Sequence, residues 1–311
     1  MSDRSKAGSE DKPVVGLALG SGSARGWAHI GVIQALEDMG VRPQVVAGTS
    51  IGALVGGAYV SGALKDFADW VKSLTVRDVF GLMDISFSGG VVKGEKLFSF
   101  FEKHHDNPDL ETLEQKLVTV ATEMGSGREI WINDGPMLTA ARASCALPGL
   151  FSPVQRGSRW MLDGGLVNPV PVSAARAMGA DVVIAVNLNA QLVGNHLSQD
   201  SRSQAEQEQG SEEERGIWQR MIEYFAAGDG EAPSFFDVVA ASINIMQDRI
   251  TRSRMAGDPP EITLVPLLED FALMDFHRAE EAIEEGRALV KRHESEIRAW
   301  VGASLDEGDG N

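Results

Sequence analysis

The sequence predicts an α/β fold, with a mostly parallel central sheet flanked by helices. Three observations predict it. Short apolar, β-branched runs recur along the chain: VVGLAL (14–19), QVVAG (44–48) and DVVIAVNL (181–188). Runs of that length bounded by turn residues read as buried strands rather than helices. The first two are each followed by a glycine-rich turn and a helical pattern, the β-turn-α-β-turn-α order that parallel strands with helical crossovers require. Finally, 311 residues with 43% apolar and 23% charged side chains can bury one large core.

Taken in order, MSDRSKAGSEDKP (1–13) is a polar, disordered tail. After the first strand, GSGSARG (20–26) is a glycine-rich turn. WAHIGVIQALEDMG follows as a helix, with Ile30, Ile33 and Leu36 on its apolar side and a stop at Gly40. Val45, Val46 and Ala47 form the second strand, and ALVGGAYVSGAL is a small-residue helix suited to close packing on a sheet. Helices are expected over 63–80 and 94–104, with the loop SFSGGVVKG between them. LVTVATEM (117–124) and REIWIN (128–133) are strands joined as a hairpin about Gly125 and Gly127. TAARASCALP is a helix that Pro148 ends, SRWMLDGG a strand running into a turn, and VPVSAARAMG a helix. The polar stretch over about 190–231 reads as a surface insertion. IWQRMIEYF and FFDVVAASINIMQDRITRSRM resume helical patterns, and EITLVPL is a late strand. One long amphipathic helix over FHRAEEAIEEGRALVKRHESEIRAWV has Ala282, Ile283, Ala288, Leu289, Val290 and Ile297 on its apolar side. Residues 14–300 are therefore expected to form a single domain, and 301–311 an acidic tail.

Bulk composition narrows the function classes. No apolar stretch reaches the roughly 18 residues of a membrane span, and the first residues lack the apolar core of a secretory signal. A cytoplasmic protein, at most peripheral at a membrane, is expected. Cys145 is the one cysteine, which excludes an intramolecular disulfide framework. The formal net charge of −17 argues against nucleic-acid binding and against electrostatic docking on anionic lipid. No His/Cys cluster offers a metal site, and no cofactor is expected. A second copy of the chain is a candidate partner through the 235–256 helix, whose other reading is a core element.

The chemistry centres on GTSIG (48–52), which fits G-x-S-x-G, a sharp strand-to-helix turn that exposes the serine hydroxyl. Gly48 and Gly52 leave room for that turn. The ordinary alternative is that Ser50 merely caps the following helix. If Ser50 is a nucleophile, a developing oxyanion needs donors. Backbone N–H groups of Gly22, Ser23 and Ala24 lie at the end of the neighbouring strand, where a helix begins, and the N–H of Ile51 follows the serine directly. Such donors are worth about 3–4 kcal/mol each in a transition state. The spacing of Gly20, Gly22 and Gly26 is a poor dinucleotide-binding fingerprint, no acidic residue ends the second strand, and there is no G-K-[ST].

A base is also required. The six histidines are His29, His104, His105, His196, His277 and His293, and five read as ordinary surface or helix residues. His277 alone follows a strand-like segment. The better candidate is Asp163 in MLDGGLVNPVP, at the carboxyl end of a strand and before Gly164 and Gly165, though an ordinary turn aspartate fits the same position.

Together, GSGSARG, GTSIG and the DGG turn (163–165) resemble the patatin-like phospholipase family, with ASCALPGLFSPV (143–154) similar to the family's approach to its aspartate. The likeness covers roughly 14–190 and has the character of bacterial members related to the neuropathy target esterase branch. It implies a three-layer sandwich and hydrolysis of acyl esters in phospholipids, lysophospholipids or neutral lipids. It implies a dyad without histidine: Ser50 as nucleophile, Asp163 as general base, Gly22, Ser23 and Ala24 as the oxyanion loop, and Arg25, with Gly26, keeping that loop in shape. Many members carry three successive glycines where this chain has Ser21-Gly22-Ser23. The expected partners are a lipid ester and, transiently, a membrane surface. The segment 80–93 is a candidate lid, and Phe80, Leu82, Met83, Phe87, Leu97, Phe98 and the FFDVV stretch (235–239) are candidates for an acyl groove or simply for core. Two other readings stand beside this one: a non-catalytic binding protein that keeps the fold, and a Ser-His-Asp esterase using His277.

Overall fold

The computed structural model describes residues 12–82, 98, 101–102, 106–148, 150–190 and 235–302. The 80–93 segment past Leu82, most of the 94–104 helix, the insertion over about 190–231, the IWQRMIEYF helix and both tails lie outside them.

Eight strands form one sheet: β1 (Val15–Leu19), β2 (Val45–Thr49), β3 (Lys116–Glu123), β4 (Glu129–Ile132), β5 (Val154–Arg156), β6 (Arg159–Asp163), β7 (Val182–Val186) and β8 (Ile262–Leu264). β3, β2, β1, β7 and β8 run parallel and adjacent, in that order. β4, β5 and β6 join as antiparallel strands at the β3 side, and β3–β4 is the hairpin expected from the glycine pair. Period-two alternation sends side chains to two cores. Leu17, Leu19, Val46 and Leu117 face a large core shared with α1 (Ala28–Asp38), α2 (Ile51–Val60), α3 (Leu64–Lys72), α5 (Met137–Ser144) and α8 (Ala279–Arg292). Ala18, Val45, Ala47, Val118 and Ala185 face a smaller core under α6 (Val172–Ala177), joined by Met255 of α7 (Phe235–Gly257). The result is helix, sheet, helix: three layers around a mostly parallel sheet, as expected.

Two helical readings need correction. The 63–80 segment is α3 followed by α4 (Val76–Leu82). Thr75 opens α4 by a reciprocal cap: its hydroxyl accepts from Asp78 N–H at 3.3 Å, and its own N–H donates to Asp78 Oδ2 at 2.9 Å. The long C-terminal helix breaks at His293 into α8 and α9 (Glu294–Val301). Its inward face carries Ala282, Ile283, Leu289, Val290 and Ile297 as expected, but Ala288 faces solvent and Gly286 takes its place inside. A Cβ at Gly286 would run into Ala28 O, and one at Gly31 into Ile283 O, so α1 and α8 cross backbone to backbone.

One feature of the register positions the site. Val120 pairs with Thr49 on one side and Trp131 on the other, while Ala121 pairs with Asp163 and Ile130. Since β4 occupies one edge of β3 over Thr119 to Thr122, β2 and β6 must share the opposite edge, one after the other. β2 therefore ends head-on against the end of β6, at Thr49 and Asp163.

Candidate active site

Ser50 sits where those two strands meet. It has φ 57 and ψ −125, a left-handed value that a side chain resists; Ser23 (φ 49) is the other non-glycine with positive φ among the described residues. The elbow is this tight because its flanks are bare. A Cβ at Gly48 would lie 2.5 Å from Ala53 Cα, and one at Gly52 would strike Leu19 O, at the end of β1. Ser50 occupies the cap position of α2 but makes no side-chain cap bond. Its Oγ instead donates to Asp163 Oδ2 at 2.5 Å, across 113 residues of sequence. Its N–H donates to Ser144 Oγ at 2.8 Å, and that hydroxyl in turn donates to Val120 O at 2.5 Å.

Asp163 is fully buried. Its second oxygen, Oδ1, accepts from Gly165 N–H at 2.7 Å, so the turn-aspartate reading also holds: one oxygen caps the turn and the other receives the serine. Its backbone is pinned by its N–H to Ala146 O (2.9 Å) and by Thr122 Oγ1 donating to its carbonyl (2.8 Å). Burial pushes its carboxyl up to about 6, opposed by the hydrogen bonds from Ser50 and Gly165. Cys145 lies beside the pair. Burial first, and the Asp163 charge second, hold its thiol well above the usual range, so it stays protonated.

The glycine loop arches over the end of β1. Gly20 N–H donates to Val186 O at 3.1 Å and Ser21 N–H to Pro169 O at 2.8 Å. Gly22 and Ser23 open a 3-10 turn that runs straight into α1, and Ile51 opens α2, so their N–H groups are first-turn donors without intrahelical acceptors. Ala24 differs from its two neighbours: its N–H donates to Leu273 O at 3.3 Å and is already engaged. A Cβ at Gly26 would collide with Ile51, which explains the glycine where the loop meets the elbow. Arg25 is buried and donates to Phe271 O (3.3 Å) and Asn189 Oδ1 (3.1 Å); burial lowers its guanidinium to about 10.

Of the histidines, His29 is no surface residue. It is fully buried under the loop with Nε2 2.8 Å from Gly20 O, and burial drives its imidazole down to about 4. His277 lies just ahead of α8. Phe98, an acyl-groove candidate, is packed in the main core. Ser144, Ser21, Asn189 and Gln247 touch the site without having been singled out. Ser144 lies in the ASCALP run, and Gln247 in the polar series Asn244, Gln247, Asp248, Thr251 of α7, whose helical spacing is itself a visible signal.

The family model for patatin-like phospholipases matches residues 17–176, which span the glycine loop, the elbow and the DGG turn. The chain belongs to the patatin-like phospholipase family. As a patatin-like phospholipase it is a lipid carboxylic ester hydrolase. An uncharacterized NTE family protein of Mycobacterium tuberculosis is 32% identical over 325 residues, covering 89% of this chain and 90% of that protein. The lysophospholipase nte1 of Emericella nidulans is 26% identical over 306 residues, covering 94% of this chain but 19% of that protein, so the chain spans about a fifth of its length. Among solved structures, VipD from Legionella pneumophila is similar with a TM-score of 0.45 and 13% identity, over 93% of this chain and 67% of that one. No helix among the described residues is long and apolar enough to cross a membrane.

Proposed function

We propose that this patatin-like phospholipase cleaves acyl ester bonds of phospholipids or lysophospholipids with a Ser50–Asp163 dyad, through an acyl-enzyme. The observation that carries this reading is the 2.5 Å hydrogen bond from Ser50 Oγ to a fully buried carboxylate. An exposed aspartate, at about 3.9, is a poor base. Burial raises Asp163 toward the range in which it can take a proton near neutrality. Ser50 attacks the ester carbonyl as Asp163 Oδ2 accepts its proton. The oxyanion is held by the N–H groups of Gly22, Ser23 and Ile51; Ala24, with its N–H given to Leu273, serves the shape of the loop. Asp163 then passes the proton to the leaving alcohol, and water attacks the acyl-enzyme by the same route. Arg25 fixes the loop from beneath, to Phe271 and Asn189. The relatives named lysophospholipases support a single-chain lipid as substrate. A cytoplasmic enzyme making transient contact with a membrane surface fits a lipid substrate.

Incubating purified protein with a panel of phospholipids and lysophospholipids, scored for released fatty acid, tests the substrate class. Release from none of them would sink the reading. The pH profile tests the base. Ionised Asp163 is the active form, so kcat/KM climbs tenfold per unit at low pH, turns over near the value of about 6, and is flat above it. A midpoint near 4 would show a solvated carboxylate instead.

The alternative triad predicts a different pattern. The Ser50 hydroxyl is bonded to carboxylate, so His277→Ala retains kcat/KM within about twofold, read with a soluble ester. His29→Ala, by contrast, lowers the thermal midpoint, since it empties a buried site and strips Gly20 O of its partner. Loss of activity in a folded His277→Ala protein would restore the triad.

A further inference from the structure

The inward face of α7 carries a run of polar side chains beside Ile243, where an ordinary surface helix would bury mostly apolar ones. Asn244, Gln247, Asp248 and Thr251 are buried, whereas Val238, Ile245 and Met246 are about half exposed. Burying an amide costs free energy unless its hydrogen bonds are made, so a glutamine where leucine would pack calls for a reason. Gln247 Oε1 accepts two bonds at once: from Ser21 Oγ at 2.7 Å and from Asn189 Nδ2 at 2.8 Å. Ser21 belongs to the glycine loop. Asn189 holds Arg25 of the same loop through its Oδ1. The opposite end of the amide, Nε2, rests on Gly165, so closely that a Cβ there would overlap it. Gly165 is the residue whose N–H binds Asp163 Oδ1. One side chain thus spans the gap between the loop and the turn that holds the base.

We propose that Gln247 is a positioning residue, which locks the 20–26 loop and the Asp163–Gly165 turn at one fixed separation so that oxyanion donors and base address Ser50 together. This rests on the dyad reading. The loop needs such a tie, because Ser23 is held at φ 49 and a strained backbone persists only when its surroundings enforce it. Ser21 is one of the loop's points of attachment: its N–H is anchored to Pro169 O and its hydroxyl to Gln247. A glycine at that position could make the first bond and not the second.

The test uses the full chain, a soluble chromogenic ester and a fluorophosphonate that traps Ser50. Gln247→Leu keeps the side-chain volume in the core but makes none of the amide's bonds. It lowers kcat about ten- to a hundredfold with KM little changed, the effect expected of misplaced groups, and slows Ser50 trapping by the same factor. Gln247→Glu retains an acceptor for Ser21 and Asn189 and recovers most of kcat. It also sets a carboxylate beside the Asp163 turn, so the rising limb of kcat/KM moves to higher pH. The other ionisable or charged groups around this cluster are Cys145 beside Asp163, His29 beneath Gly20 of the loop, Arg25 behind Asn189 with Asp275 near it, and Asp248, which Arg252 pairs. Ser21→Ala cuts the same tie from the loop side, and the Ser21→Ala/Gln247→Leu pair loses no more than its worse member. Should Gln247→Leu not fold, Ser21→Ala decides alone, and wild-type kcat in it overturns the proposal. Wild-type kcat and an unmoved pH limb in folded Gln247→Leu, beside an inactive Ser50→Ala, overturn the proposal and leave the dyad standing. Full activity in Ser50→Ala overturns the dyad reading, and this one with it.

Discussion

Ser50→Ala is expected to abolish ester hydrolysis, with kcat falling on the order of 10⁴- to 10⁶-fold, while the protein stays folded. The hydroxyl bonds to Asp163, with the Cys145 thiol also at hand, and does not cap α2, so the helix loses nothing with it. Alanine also inherits the φ of 57, a strain already present. What changes is the carboxylate: without the serine's hydrogen bond Asp163 rises further above about 6, because that bond favoured its charged form. A fluorophosphonate should label the wild type once and the variant not at all, as read by intact mass. Retained hydrolysis, or an adduct on another residue, would remove Ser50 from the chemistry.

Asp163→Asn is expected to lower kcat by about 10²- to 10⁴-fold and, at neutral pH, to make the protein more stable. Asparagine can still accept from Gly165 N–H through Oδ1, and its amide can donate to Ser50. It no longer buries a charge. In the folded chain the carboxyl is raised to about 6, above its ordinary value, so the folded state holds its proton more tightly than the unfolded one does. Stability from this group is complete below about pH 4 and is lost as pH climbs through about 6. At pH 7 to 8 the ionised side chain costs roughly 3 kcal/mol, an order-of-magnitude figure from about two pKa units. The thermal midpoint of Asp163→Asn should therefore exceed that of the wild type by several degrees at pH 8, with the gap closing toward pH 4. Equal midpoints at every pH would mean that the wild-type carboxylate is not strained by its burial. A gain in stability paired with a loss of rate is the pattern expected where a site is tuned for reaction rather than for folding.

Much of this was legible in the chain. GTSIG, the glycine loop and DGG are local patterns, and each encodes its own backbone geometry: bare flanks at Gly48 and Gly52, and an aspartate that caps its own turn. The strands were legible for the same reason, since short β-branched runs between turns carry their own period. What escaped depends on distant packing. Whether the N–H of Ala24 is free is decided by Leu273, far along the chain, and no reading of GSGSARG contains that. Ser144 supports the elbow only because α5 delivers it under Ser50 and Val120. The break at His293 is one residue leaving helical dihedrals (φ −107, ψ 11), and an amphipathic pattern that continues past it gives no warning. Gln247 showed itself only as a polar member of an apolar-looking helix, and a polar stripe on one helical face is ordinarily the wet one.

The meeting of β2 and β6 on one edge of β3 has a consequence for the newly made protein. The alcohol leaves the ribosome 113 residues ahead of its acid. With the proposed Ser50–Asp163 dyad, the emerging polypeptide carries its serine without its base until the reversed hairpin of β5 and β6 has docked. On that proposal, lipid-cleaving ability arrives only with the closing of the sheet, when the two ends that meet on β3 are brought together.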